Sequence, residues 1–192
     1  MGDMGKPTSI LRNRAILEGW SVVALAILLA PLLAPPARAE PTWSCVGPAL
    51  QTELDRKLQF QDDFAALIAE ARPDLAEVAA LAASASKARF EIRFSRIAWL
   101  WEADRARLAN PDAFWSYPWD DGDRAAWHRA DGAHAEADDR ADALNAELRA
   151  HPDAGAYRQF ASETRGEEPF LGLLTAFGSD ISADRDRVAA CF

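Results

Sequence analysis

Apolar side chains recur along residues 50–71 at the intervals of a helix rather than a strand. Leu50, Leu54, Leu58, Phe64, Leu67 and Ala71 make one stripe, and Ile68 widens it. The pattern predicts a first helix beginning near Pro48, just after Gly47, because proline in the first turn forfeits no bonded amide. Pro73 marks a break. From Asp74 to about Leu108 the stripe strengthens, with Leu75, Val78, Ala82, Ala85, Phe90, Phe94, Ile97, Trp101 and Leu108 three or four residues apart over most of its length. That stretch holds no internal Pro or Gly and is rich in helix formers. It predicts either the longest helix of a bundle or two helices parted near Ser84 to Ser86, ending at Asn110 and Pro111.

A weaker, alanine-rich face follows: Trp127, Ala130, His134, Ala137, Ala141, Leu144 and Leu148. It predicts a third helix capped by Asp123 or a neighbour and reaching about Ala150, with a local irregularity at Gly132. Pro152 restarts the chain, Tyr157 and Phe160 fall on a short helix, and Gly166 ends it. Phe170, Leu173, Leu174 and Phe177 predict another short helix ending at Gly178, with Ser182 capping a last turn through Val188. No succession of alternating segments suggests a sheet. The expected fold is all-α: an antiparallel bundle of three or four main helices with short C-terminal helices.

The amino terminus belongs to a different physical setting. Lys6, Arg12 and Arg14 precede the apolar run Trp20 to Ala34, and Ala37 and Ala39 supply the small residues of a cleavage site. Residues 1–39 are therefore expected to be a cleavable secretory signal peptide, and residues 40–192 a single exported domain. Pro31, Pro35 and Pro36 and the shortness of the run argue against a retained membrane anchor, which needs about 20 apolar residues. The expected location is periplasmic or secreted, with no direct membrane insertion after cleavage.

Export changes how the two cysteines are read. Cys45 and Cys191 lie near the ends of residues 40–192, and in an oxidising compartment they are expected to pair, for an ideal loop-closure gain of about 5 kcal/mol. Residues 40–192 carry 28 acidic against 17 basic side chains, a formal net charge of −11 with histidine neutral. That charge opposes association with nucleic acid or anionic lipid, so no nucleic-acid partner is expected.

Candidate chemistry centres on the segment from Asn110 to Asp123, where Trp115, Tyr117 and Trp119 alternate in sequence after Phe114. Extended, it would present Trp115 and Trp119 on one side and Tyr117 on the other. Two readings stand side by side: a lid folded over the helix ends, or a contact surface of Trp115, Tyr117 and Trp119 with Asp120 and Asp121 orienting a polar group and Trp99 contributing from the second helix. Asp131, His134, Asp138 and Asp142 share a helix side, with His128 nearby, but acidic helices produce such spacings readily and no zinc-protease pattern is present. The Asp120 to Asp123 run departs from the standard calcium loop. Arg93 and Arg96 flank the aromatic strip of the second helix.

Glu102 with Asp104, or Asp120 with Asp123, supplies the carboxylate pair of a polysaccharide-processing enzyme, but neither spacing identifies a cleft. No nucleophile motif, haem attachment motif or phosphate-cradling glycine loop occurs, so no catalytic residue, metal or cofactor is assigned. The expected function is a noncatalytic accessory or interaction domain of an envelope or membrane-associated complex, with a ligand-binding module for carbohydrate or metal as the alternative.

Overall fold

A computed structural model describes residues 40–192. The expected signal peptide lies outside the described residues. The described chain is 85% helical and, among the described residues, holds no strand. Its α-helices are α1 (Trp43–Ala71), α2 (Ala76–Ala103), α3 (Ala113–Ser116), α4 (Asp121–Ala130), α5 (Gly132–Ala150), α6 (Ala154–Glu163) and α7 (Phe170–Ala189). Short 3-10 turns at Pro73–Leu75, Arg105–Leu108 and Thr164–Gly166 connect them.

The four long helices pack serially. Trp43 meets Trp101 and Lys57 lies over Phe90, so α1 and α2 run antiparallel. Phe60 stacks on Phe177, and Phe64 meets Phe170, which sets α7 antiparallel on another side of α1. Arg96 reaches Asp138 while Ile92 packs with Ala141, which places α5 antiparallel along α2. The spatial order is thus α5, α2, α1, α7.

Several boundaries differ from those the hydrophobic pattern predicts, each for a local reason. Helix α1 starts five residues earlier than Pro48, with Thr42 in an extended conformation and its carbonyl accepting from the Val46 amide at 3.0 Å. Val46 is fully buried, so this extra turn adds to the core. Pro48, at the sixth helical position, leaves the Ser44 carbonyl without its usual intrahelical donor, a cost set against the burial that the extra turn gains. Helix α2 passes without interruption through Ser84 to Ser86 and stops at Ala103. Leu108 then enters the core from a 3-10 turn.

The expected third helix is two helices. Asp131 is extended, and its side chain accepts from the Ala133 amide at 2.9 Å, so it ends α4 and caps α5. Asp120 caps α4 by accepting from the Asp123 amide at 2.8 Å; Asp123 itself is buried. Gly178 does not end the last helix, and Ser182 lies inside it. Nothing approaches the position a side chain would take at Gly178, and Ile181 and Val188 beyond it are buried, so packing carries α7 through the glycine.

The apolar core gathers at two ends. Near the chain termini, Val46, Leu50, Ile97, Leu100, Trp101, Leu108, Phe114 and Val188 pack together. At the other end Ile68, Leu75, Val78, Ala79, Ala161 and Phe170 form a second cluster. A third, smaller cluster of Ile92, Trp127 and Ala141 lies between α2 and the α4–α5 pair.

The expected disulfide is present. Cys45 and Cys191 are bonded with their Cα atoms 5.9 Å apart, closing a sequence separation of 146 residues beside the first cluster. Among the described residues, no helix is long and apolar enough to cross a membrane. Reduction, or Cys45→Ser with Cys191→Ser, should lower unfolding stability by about 2–5 kcal/mol. Denaturant unfolding with and without reductant checks this; coincident curves would contradict a stabilising role for the bond.

Candidate functional site

The aromatic segment is built from its inner end outward. Asn110 accepts from the Ala113 amide at 3.0 Å through its side chain, and Ser116 donates to the Asp112 carbonyl at 2.7 Å, which folds one turn, α3, into what the alternation suggests is extended. That turn directs Phe114 inward. Its ring is fully buried, 6.0 Å from Trp101 and 5.8 Å from Phe192, a burial worth about 2–3 kcal/mol.

Trp115 is held by a buried charge. Glu53 on α1 is 2% exposed, and the Trp115 indole donates to both of its carboxylate oxygens at 2.8 Å. Lys57 lies 2.5 Å from the same carboxylate. A buried carboxylate needs such partners, because desolvation otherwise costs more than the fold gains. From α2, Arg93 donates to the carbonyls of Phe114, at 3.1 Å, and of Trp115. Burial holds the Arg93 guanidinium below its ordinary pKa, opposed by the charge of Glu53 and reinforced by Arg185.

Tyr117 is also turned to an internal partner. Its hydroxyl donates to Asp123 at 3.2 Å, while Arg107 donates two 2.8 Å bonds to the same carboxylate and lies 4.7 Å over the Tyr117 ring. Tyr117 and Trp119 do not point apart: their rings meet edge to face at 5.2 Å. Trp99 is partly buried and packs 6.0 Å from Trp119. Asp120 and Asp121 are exposed at the start of α4. Of the six residues suggested by sequence, Trp119, Asp120 and Asp121 alone line a common groove; Trp115 and Tyr117 are bonded inward and Trp99 backs Trp119.

That groove, about 520 Å³ in volume, runs between α2 and the α4–α5 pair. Arg89, Arg93 and Arg96 line it from α2, Arg124 from α4, and Asp138, Asp142 and Asn145 from α5. Its fixed point is Asp138, which is 5% exposed. Arg96 donates to its two oxygens at 3.0 and 3.2 Å, His128 donates through Nε2 at 2.9 Å, and Arg124 donates through Nε. Arg124 also reaches Asp142 at 3.1 Å. Burial alone would raise the Asp138 pKa, but the Arg124 hydrogen bond, the Arg96 charge and the His128 hydrogen bond together hold it below the ordinary 3.8. Arg96 in turn lies 4.8 Å from the buried Trp127 ring and 5.5 Å from Trp119, so the same guanidinium links the ion cluster to the aromatic segment.

The helix-face metal candidates do not converge as ligands. His134 stacks on Trp127 at 4.6 Å and its Nδ1 lies 2.8 Å from the Trp127 carbonyl, while Asp138 serves the arginines. Among the described residues, no group of three or more His, Cys, Asp or Glu side chains is placed to hold a metal. Asp120 and Asp123 are engaged in capping and in the Arg107 pair, and Glu102 and Asp104 are exposed outside the groove. Sequence reasoning missed Arg89, Arg124 and Asn145 as groove residues and gave Asp138 a different partner class. The available signal was the spacing of Arg89, Arg93 and Arg96, which puts three guanidinium groups on one helical face.

Because Asp138 is lowered in the folded state, its contribution to stability is complete above the unfolded carboxylate pKa and is lost as pH falls through the folded value. Wild-type stability should therefore decline below about pH 4, and Asp138→Asn, costing about 3 kcal/mol at neutral pH, should flatten that decline. Urea unfolding across acid pH checks both; an unchanged pH profile in the variant would contradict the assignment. Comparison with known proteins supplies no analogy for this site, since no protein family, curated protein or solved structure matches the chain.

Proposed function

We propose that this chain is an exported, noncatalytic interaction domain of the cell envelope, periplasmic or secreted, and a subunit of an envelope or membrane-associated complex. Its contact surface is the groove edge formed by Trp119, Asp120 and Asp121. The observation that carries this reading is the division within the aromatic segment: Trp115 and Tyr117 direct their polar atoms to buried carboxylates, while Trp119 lines a groove beside the exposed Asp120 and Asp121. An indole beside polar groups combines a large contact area with a polar handle, the composition favoured where a partner is bound.

Two further features support it. The Cys45–Cys191 bond suits an oxidising compartment outside the cytosol. The large apolar side chains are almost all covered, Leu171 being the exposed exception among the described residues at 44%, so recognition falls to the groove rather than to a greasy face. A second reading, a small module for carbohydrate, draws on the same groove, in which Trp119 sits with Asp142, Asn145 and arginines able to hydrogen-bond hydroxyl groups.

Capture from native envelope with the disulfide-bonded protein tests the interaction. Trp119→Ala and Asp121→Arg should each reduce capture about tenfold or more while leaving the helical spectrum intact. Trp115→Phe should keep capture but lose about 1–3 kcal/mol of stability, because Glu53 loses a buried donor. Capture insensitive to both Trp119→Ala and Asp121→Arg would overturn this surface. Saturable binding of a purified neutral saccharide with no captured protein would favour the second reading.

A further inference from the structure

The groove has an uneven distribution of charge. Arg96 and Arg124 are engaged by Asp138 and Asp142, and Asp120 is occupied as the α4 cap. On the α2 wall the situation differs. Arg89 and Arg93, one helical turn apart, line the same groove, and among the described residues no carboxylate lies within 4.0 Å of either guanidinium. Arg93 donates to two main-chain carbonyls, and Arg89 is exposed. Two cations therefore line one recess with no carboxylate in contact with either, although the Glu53 charge acts on Arg93 at longer range and Asp121 and Asp142 stand elsewhere on the groove wall.

Such a pair has a definite complement. Like charges on one helix turn repel, and an oxyanion placed between them relieves the repulsion while accepting charge-assisted hydrogen bonds from planar guanidinium forks. The partly buried setting of Arg93 strengthens this attraction relative to a fully solvated pair. Asn145 on the facing helix is buried at the same groove and uses its side-chain amide for one bond, to the Ala141 carbonyl at 2.7 Å. Across the groove, Asp121 and Asp142 present negative charge, which disfavours an extended polyanion and suits a compact group.

We propose that Arg89 and Arg93 form a binding site for a small oxyanion, a carboxylate or a phosphate ester, carried by the ligand or partner that the groove receives. This rests on the groove being the contact surface. Arg89 supplies an open fork and Arg93 a fork already oriented by its bonds to the Phe114 and Trp115 carbonyls. Trp119, beside them, sits against the remainder of the ligand.

The test is titration of the disulfide-bonded protein with inorganic phosphate and with succinate at constant ionic strength, reading the arginine Nε–H resonances. Saturable shifts at Arg89 and Arg93 are expected, and the probe that binds more tightly identifies the source of the oxyanion. Arg89→Gln should weaken binding about tenfold with an unchanged melting temperature, since Arg89 has no internal ion pair. Arg93 also ties down main chain, so Arg93→Lys is the second variant: it keeps the charge, removes the fork and should weaken binding as well. No saturation with either probe, or unaltered affinity in both variants, would overturn the proposal. Envelope capture that persists when neither anion binds would refute the oxyanion site and leave the interaction reading standing. Anion binding without capture would do the reverse.

Discussion

The Asp138 carboxylate accepts hydrogen bonds from Arg96 on α2 and from Arg124 and His128 on α4, and the geometry of the groove depends on that junction. Helix α5 is held by other contacts as well: Leu148 packs on the Ile68 and Phe170 cluster, and His134 stacks on Trp127. Its most buried residues are Asp138, Ala141 and Asn145, two of them polar. Burial of alanine contributes far less than burial of the leucines and aromatics elsewhere in the bundle. Directed bonds to the Asp138 carboxylate add to those contacts in setting how α5 lies along α2.

The two ends of the bundle have the opposite character. At the terminal end the disulfide, Trp43, Trp101, Phe114 and Phe192 close a dense aromatic core, and at the far end Ile68, Leu75, Val78 and Phe170 close another. Gly47 shows how tight the first of these is: a side-chain carbon there would lie 2.8 Å from the Trp43 indole, which packs on Trp101. Between these ends, Ile92 of α2 and Ala141 of α5 pack with Trp127, and a groove opens beside them. A recess framed by apolar clusters and lined by charged groups is suited to selecting a polar ligand.

The helices were legible wherever a stripe of large apolar residues led to a buried face, as for Leu50, Leu54 and Ile68 on α1 and Val78, Ile97 and Trp101 on α2. The disulfide was legible because two cysteines, read with the expectation of export, leave few arrangements. Helix ends were less so, since they follow short-range choices that periodicity does not encode. Asp131 breaks the third stripe by capping with its own side chain, and Gly178 is carried through by packing on both sides. The groove was the least visible part. Asp138 and Arg96 are 42 residues apart, and an acidic helix offers many carboxylates of equal appearance, so the partner of each arginine emerged only with the tertiary fold. The aromatic segment divides its side chains between the interior and the groove. Phe114 fills the core, Trp115 and Tyr117 are bonded to buried carboxylates, and Trp119 reaches the groove.

That division is open to one direct measurement. Hydroxyl-radical oxidation of the disulfide-bonded protein, read tryptophan by tryptophan, reports which indoles meet solvent and which become covered. Trp119 should oxidise faster than the buried Trp101 and Trp127, and solubilised envelope should protect it while leaving their slow rates unchanged. A Trp119 as inert as Trp127, or one equally reactive with and without envelope, would contradict the claim that the groove beside it is the surface through which this domain makes contact.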